Sequence, residues 1–233
     1  MGAPGEAAGA LADFCVLPSI NCIPMPSDFS LDTAVLAEPL TIGLHAERLG
    51  QLSSAQRIAI LGAGPIGLSV LLCVKAIGSP SHVLVTDLLD ERLDVARRCG
   101  ADRAILARDL RLPTEPDDEF DIVFECSGDP EIIDTAQNLA TPGGRIVLVG
   151  IPPTENYSFN AHKMRRAELS FQAVRRQNHC VEAIVELLAD HRIDPSPMLT
   201  HHFPLEQLTD AFELVADYKD GVVKAIVSLS TAE

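Results

Sequence analysis

Arg57-Ile58-Ala59-Ile60-Leu61 runs without interruption into Gly62-Ala63-Gly64-Pro65-Ile66-Gly67, and a helix-forming stretch from Leu68 to Ala76 follows. A second apolar run, Val83-Leu84-Val85-Thr86, ends at Asp87, twenty residues after Gly67. Strand, glycine turn, helix, strand and terminal acid form the context in which Gly-x-Gly-x-x-Gly binds a dinucleotide. Gly62 permits the tight turn, Gly64 lets the backbone approach a pyrophosphate, and Gly67 lets helix and sheet pack closely. Pro65 and Ile66 open the helix, whose free N–H groups and positive dipole end face the phosphates. Asp87 is placed to accept hydrogen bonds from the adenosine ribose and disfavours a 2′-phosphate, for which Leu88 offers no balancing charge.

Two other readings of the turn remain. One is a glycine-rich turn in an unrelated α/β fold. The other is a methyltransferase, whose first strand usually ends in an acid just before the glycines; Ile60-Leu61 stand there instead.

The elements needed to hold such a turn are legible along the chain. Apolar strands are expected at 57–61, 83–86, 103–106, 121–125 and 145–149, with helices at about 66–77, 90–98 and 130–140. The alternation predicts an α/β fold, a doubly wound parallel sheet. Continuous apolar strands fit a sheet covered on both faces. Before it, Phe14-Cys15-Val16-Leu17 reads as a short strand within a strand-and-turn region at 11–26. Ser30 is a helix N-cap for Leu31 to Leu49, with a kink or break expected near Glu38 because Pro39 follows it. Pro142-Gly143-Gly144 reads as a turn that ends a helix. After Ile151 come a loop, a sixth strand at 169–174, a helix at about 179–190, a proline-rich connector, an acidic helix at 205–217 and a last strand at 224–229.

Composition narrows the function. The 233 residues suit one large domain, or one with a smaller addition, and 47% apolar content supports a sizeable core. A net charge of −15 argues against a nucleic-acid partner, which needs a basic face. No uncharged apolar run is long enough to span a bilayer. Without a basic start followed by an apolar block there is no secretory signal, so a soluble, cytoplasmic protein with no membrane partner is expected. The six cysteines include no Cys-x-x-Cys pair and read mostly as small buried hydrophobes. The histidines show no metal-ligand spacing; His201 and His202 are adjacent and cannot comfortably share one tetrahedral ion.

Several stretches together resemble the zinc-dependent medium-chain alcohol and polyol dehydrogenases, nearest to the sorbitol (L-iditol 2-) dehydrogenase branch, with threonine dehydrogenase close by. They are Ala37-Glu38-Pro39-Leu40-Thr41-Ile42-Gly43-Leu44-His45-Ala46, the Gly62–Gly67 turn, Val85-Thr86-Asp87-Leu88 and Glu125-Cys126-Ser127-Gly128. Gly143 through Gly150 and His202-Phe203-Pro204-Leu205 complete the set. They follow family order almost from end to end.

The resemblance implies NAD and zinc as cofactors, an alcohol or polyol as substrate, and a homo-oligomer, either dimer or tetramer. Glu38 would be the catalytic and metal-site acid, beside the zinc and its water. Arg92 would lie near the adenosine. Cys126 and Ser127 would line the cofactor loop, and Val149, Gly150 and Ile151 would hold the nicotinamide carboxamide. Arg175 would border cofactor and substrate. Arg176 departs from a tyrosine usual in polyol dehydrogenases and puts the polyol specificity in question. Family members extend before residue 1, where a GroES-like catalytic domain carries the remaining zinc ligands.

The resemblance therefore implies three parts: 1–45, the end of the GroES-like domain with a connecting helix; 46–175, the NAD-binding Rossmann domain; and 176–233, a segment returning to the catalytic domain. The expected activity is hydride transfer from a secondary alcohol to NAD, impaired in this chain, whose metal site would be incomplete. The alternatives are a threonine dehydrogenase-like enzyme, a non-catalytic NAD-binding and dimerisation module, and a zinc-free quinone oxidoreductase, against which Glu38-Pro39-Leu40 speaks.

Overall fold

Six apolar strands lie side by side, all parallel, in the computed structural model, which describes residues 14–27, 29–53 and 56–229. They are β1 (Arg57–Leu61), β2 (His82–Asp87), β3 (Arg103–Leu106), β4 (Phe120–Glu125), β5 (Ala140–Leu148) and β6 (Ser170–Ala173), in the order β3-β2-β1-β4-β5-β6. The chain moves outward from β1 in one direction and then returns to its other side at β4. That reversal is the topological switch point, where ligands of open α/β sheets bind. Both faces are covered. Ile58, Ile60, Val83, Val85, Ile122 and Phe124 belong to one core cluster, while Ala59, Leu61, Leu84, Val123 and Ile146 alternate into the other. Successive side chains point to opposite faces, so a doubly buried strand must be apolar at every position.

Helices α1 (Leu31–Gly50), α2 (Pro65–Ile77) and α3 (Asp90–Arg98) precede α4 (Ile132–Leu139). The Ser30 cap forms as expected: its Oγ accepts from the Thr33 N–H at 3.0 Å. The break expected near Glu38 does not occur, and α1 runs continuously through Pro39. An interior proline costs about 3 kcal/mol. Leu36, Leu40 and Leu44 are buried along one stripe of the helix, each contributing about 1.5–3 kcal/mol, and together they outweigh it.

Other boundaries also differ from expectation. Phe14–Leu17 forms no strand; Phe14 and Val16 are exposed, and the next regular element is a 3-10 turn at Ser19–Asn21. The first residues of the region expected to hold strands lie outside the described ones. Strand β5 begins at Ala140, so Pro142-Gly143-Gly144 lies within it, as a bulge between the pairs Phe120↔Ala140 and Ile122↔Arg145. A short helix, α5 (Ala161–Arg166), stands where loop was expected, capped by the Asn160 side chain.

Beyond β6 lie α6 (Val181–Ala189), β7 (Leu199–Pro204), α7 (Leu208–Ala216) and β8 (Lys224–Ser228). Strand β7 falls within the stretch read as a proline-rich connector; it pairs parallel with β8 as a separate two-stranded sheet. Arginines fasten this segment to the rest. Arg48 donates to the His179 carbonyl at 3.0 Å, Arg92 to the Val222 carbonyl at 3.0 and 3.2 Å, and Arg192 to the Ala76 carbonyl at 2.7 Å.

Phe124 ties sheet to helix, since a β-carbon added at Gly50 would sit 2.9 Å from its ring. Phe124→Ala is expected to cost about 3–5 kcal/mol, measured as a lowered midpoint in denaturant titration. A loss below about 1 kcal/mol would contradict this packing.

Candidate functional site

The glycine turn sits at the carboxyl end of β1, between the ends of β2 and β4. Gly62 has φ +108°, a conformation that costs little only without a β-carbon. A β-carbon on Gly67 would lie 1.9 Å from the Gly62 carbonyl oxygen and 3.4 Å from the Cys126 side chain. The first turn of α2 can therefore rest on the strand end only because residue 67 is glycine. Gly64 is different. Its backbone is ordinary (φ −72°, ψ −178°), and a β-carbon there would meet nothing closer than an Arg92 Nη at 3.8 Å. Protein packing places no demand for glycine at 64. The open space beside it, at the amino end of α2, is the space an incoming phosphate needs.

Asp87 ends β2 and is 9% exposed. One carboxylate oxygen accepts from the Ala63 N–H at 2.7 Å; the other accepts from Leu88 and Leu89 N–H at 2.8 and 3.1 Å. The acid thus fixes the turn to β2, and a ribose would share its remaining lone pairs. Leu88 is exposed. Arg92 reaches toward Gly64 from α3, its guanidinium 5.0 Å from the Tyr218 ring centre and bonded to the Val222 carbonyl.

On the other flank, the Cys126 N–H donates to the Leu61 carbonyl at 2.8 Å. Burial, and secondarily the neighbouring Glu125, push the Cys126 thiol well above its ordinary range. It stays protonated and serves as packing. Ser127 is exposed, Val149 buried, and Ile151 projects into solvent.

Glu125 is the residue that sequence reasoning quoted without assigning a role. It ends β4 and is fully buried. One of its oxygens, Oε1, accepts from the Ser127 N–H, the Ser127 hydroxyl and the Gly128 N–H, each at 2.7 Å. Among the described residues, the buried side-chain oxygens without a partner are Glu125 Oε2 and the Tyr157 hydroxyl. An acid closing an apolar strand beside β1, as Asp87 does, was the available signal.

Glu38 and Arg176 meet at a cavity of about 670 Å³ that Thr41, Ile42 and Gln177 also line. Arg175 is exposed and does not line it. The described residues contain no group of three or more His, Cys, Asp or Glu side chains able to hold a metal. Zinc takes four ligands, or three and a water. Glu38 alone does not make such a site, so these residues do not fit zinc. A dinucleotide fits better: the turn offers free helix amides, open space at Gly64 and an acid opposite.

Residues 65–190 match the family described as zinc-binding dehydrogenase. The chain is 32% identical over 219 residues to the L-idonate 5-dehydrogenase of Vitis vinifera, covering 89% of this chain and 59% of that protein. It is 32% identical over 216 residues to the sorbitol dehydrogenase of Homo sapiens, covering 88% and 59%. The chain belongs to the zinc-binding dehydrogenase family. A solved alcohol dehydrogenase from Escherichia coli CFT073 (RspB), complexed with NADH, superposes with a TM-score of 0.85 at 28% identity, covering 91% of this chain and 64% of that one. The chain thus spans less than two thirds of these relatives.

Membership of this zinc-type dehydrogenase family agrees with the doubly wound sheet and with the glycine turn at its switch point. Among the described residues no helix is long and apolar enough to cross a membrane.

The cysteines offer a check on the site's packing. Cys15 and Cys22 are exposed, whereas Cys73, Cys99 and Cys180 are buried and Cys126 is half-buried with its thiol held protonated. Ellman titration of the native protein is expected to modify Cys15 and Cys22 quickly, and Cys126 only on unfolding. Rapid labelling of Cys126, located by peptide mass mapping, would show that the loop under the glycine turn is open.

Proposed function

We propose that the chain carries the NAD-binding part of an oxidoreductase that moves hydride between a secondary alcohol, of polyol type, and NAD. The observation that supports this most directly is Gly64, a glycine that the surrounding protein does not require, facing open space at the start of α2. In this reading the N–H groups of Ile66 and Gly67 hold the diphosphate, Gly64 leaves room for it and Pro65, which has no N–H to donate, sets the first turn of the helix; Asp87 takes the ribose hydroxyls while keeping its grip on the turn. Arg92 borders the adenosine end, with Tyr218 steadying its guanidinium. Cys126 and Ser127 form the floor, and main-chain groups of Val149, Gly150 and Ile151 orient the carboxamide. The nicotinamide supplies the hydride acceptor when bound.

Glu38 and Arg176, at one cavity, offer an acceptor and donors to a substrate with several hydroxyls; Arg175, next in sequence but outside the cavity's lining, would act at the boundary of cofactor and substrate. The relatives that act on idonate and sorbitol, by their names, favour this substrate class. Glu38 would serve the metal site in the whole enzyme, but no step is derived through zinc, because the described residues do not assemble its ligands. The proposed organisation keeps the parts expected from sequence: residues 1–45 as the end of the catalytic domain with the connecting helix, 46–175 binding NAD, and 176–233 returning to the catalytic domain. By itself the chain should bind NAD and turn over little; strong zinc-dependent oxidation of sorbitol or L-threonine would refute that.

A second reading, a coenzyme-binding and dimerisation module without catalysis, draws on β6, which ends the sheet and, among the described residues, has no strand on its outer edge. Sedimentation of the chain as a monomer would remove it.

The glycines separate binding from folding. Gly64→Ala is expected to keep the melting temperature within about 1 °C while NADH affinity falls at least about tenfold, roughly 1.4 kcal/mol. Gly67→Ala, whose β-carbon would collide with the Gly62 carbonyl, should lower the melting temperature by several degrees. Unchanged NADH binding in Gly64→Ala, by calorimetry, would defeat the reading.

A further inference from the structure

Glu125 controls two loops at once. Its main-chain carbonyl accepts from the Val149 and Gly150 N–H groups at 2.8 and 2.9 Å, and its carboxylate accepts from Ser127 and Gly128. The loops then interlock. A β-carbon on Gly150 would lie 2.7 Å from Glu125 Oε2 and 2.2 Å from the Gly128 nitrogen; one on Gly128 would lie 2.6 Å from the Ile151 carbonyl oxygen. One residue therefore sets the spacing between the 126–128 and 149–151 segments. Yet Oε2, fully enclosed, accepts nothing. A buried polar atom left unpaired costs about 1–3 kcal/mol, so a fold does not keep one without a compensating gain.

We propose that Glu125 is a positioning residue for the nicotinamide half of the coenzyme, with the Tyr157 hydroxyl as the donor that its second oxygen receives when the coenzyme is bound. The inference rests on the NAD-binding reading above. Tyr157 lies in the loop that leaves the 149–151 segment, and its hydroxyl is the other buried side-chain oxygen lacking a partner. Its ring centre is 6.3 Å from that of Phe159, which meets Phe171 of β6 edge-on at 4.8 Å. The loop is thus already held to the sheet through its aromatic side chains. Burial first, and then the charge of Glu125, raise the pKa of the Tyr157 phenol above its ordinary value. The hydroxyl consequently keeps its proton and can donate. Joining the pair would satisfy both orphans and draw the 152–159 loop against the end of β4, beside the carboxamide site.

The test compares two ligands that share the adenosine and diphosphate but not the nicotinamide. NADH binding to the full chain is read from coenzyme fluorescence, free of interference because the chain has no tryptophan; ADP-ribose binding is read by calorimetry. Glu125→Gln should weaken NADH about tenfold and leave ADP-ribose within about twofold. Tyr157→Phe should weaken NADH about threefold, and adding it to Glu125→Gln should produce no further loss. Glu125→Asp, which keeps the charge but shortens the reach, should resemble Glu125→Gln and serves if that variant does not fold. Undiminished NADH affinity in both Glu125 variants, or a parallel loss of ADP-ribose, would overturn the positioning role. Additive losses in the double variant would overturn the tyrosine partnership. If the unaltered chain binds neither ligand, the NAD reading itself has failed and takes this proposal with it.

Discussion

Main-chain amides at the carboxyl ends of parallel strands have no ladder to join, and burial makes each unpaired one costly. The structure meets this constraint with two buried acids placed symmetrically about β1. Asp87 at the end of β2 receives the amides of Ala63, Leu88 and Leu89; Glu125 at the end of β4 receives those of Ser127 and Gly128. Since Thr86 and Glu125 are both register partners of Leu61, the two carboxylates bracket the glycine turn. Each does for its loop what a capping side chain does for a helix end. The walls of the crevice are thereby hydrogen-bonded to carboxyl side chains on both flanks.

That arrangement holds only while the sheet register holds, and the register depends on burial of both faces. A one-residue slip would exchange the two face sets of β1 and misplace both acids. The C-terminal segment adds a further restraint. Arg48, Arg92 and Arg192 each donate to a carbonyl far away in sequence, 131, 130 and 116 residues distant. Arg92 links this restraint to the crevice, since the guanidinium that fastens Val222 also borders Gly64. One arginine thus ties the α7–β8 turn to the mouth of the glycine turn.

The sheet was legible because its signal is local: short apolar runs bounded by turn residues and alternating with helical patterns read as doubly covered strands, and the glycine turn marks β1 as the first. What escaped was governed by distant partners. Strand β7 has polar His201 and His202 at its centre, and its strand state derives from pairing with β8 some twenty residues later. Phe14–Leu17 has strand-forming residues but no partner strand among the described residues. Pro39 carries a strong local stop signal that three buried leucines override. In the site, the turn and Asp87 could be read from type and spacing. Glu125 could not be assigned a role, because its importance lies in which amides converge on it, a property of the folded loops.

Continuity of α1 through Pro39 also fixes where Glu38 points. Each residue advances about 100° around a helix, so Glu38 lies roughly opposite the buried Leu36 and diagonal to the Leu40–Leu44 stripe. Had the helix broken at Pro39, that phase would be lost and Glu38 could turn toward α2 and the core. Because it does not, the carboxylate is carried on the exposed side, to the cavity that Arg176 borders from the segment after β6. Arg176 is held there by a left-handed backbone, φ +54°, a conformation that an arginine adopts only when its surroundings impose it. Acceptor and donor thus reach one cavity from elements 138 positions apart, each by a backbone feature that runs against local preference: a proline inside a helix and a non-glycine at positive φ. Departures of this kind persist where the surrounding structure over-determines them, and here the two bring an acceptor and a donor to the same cavity.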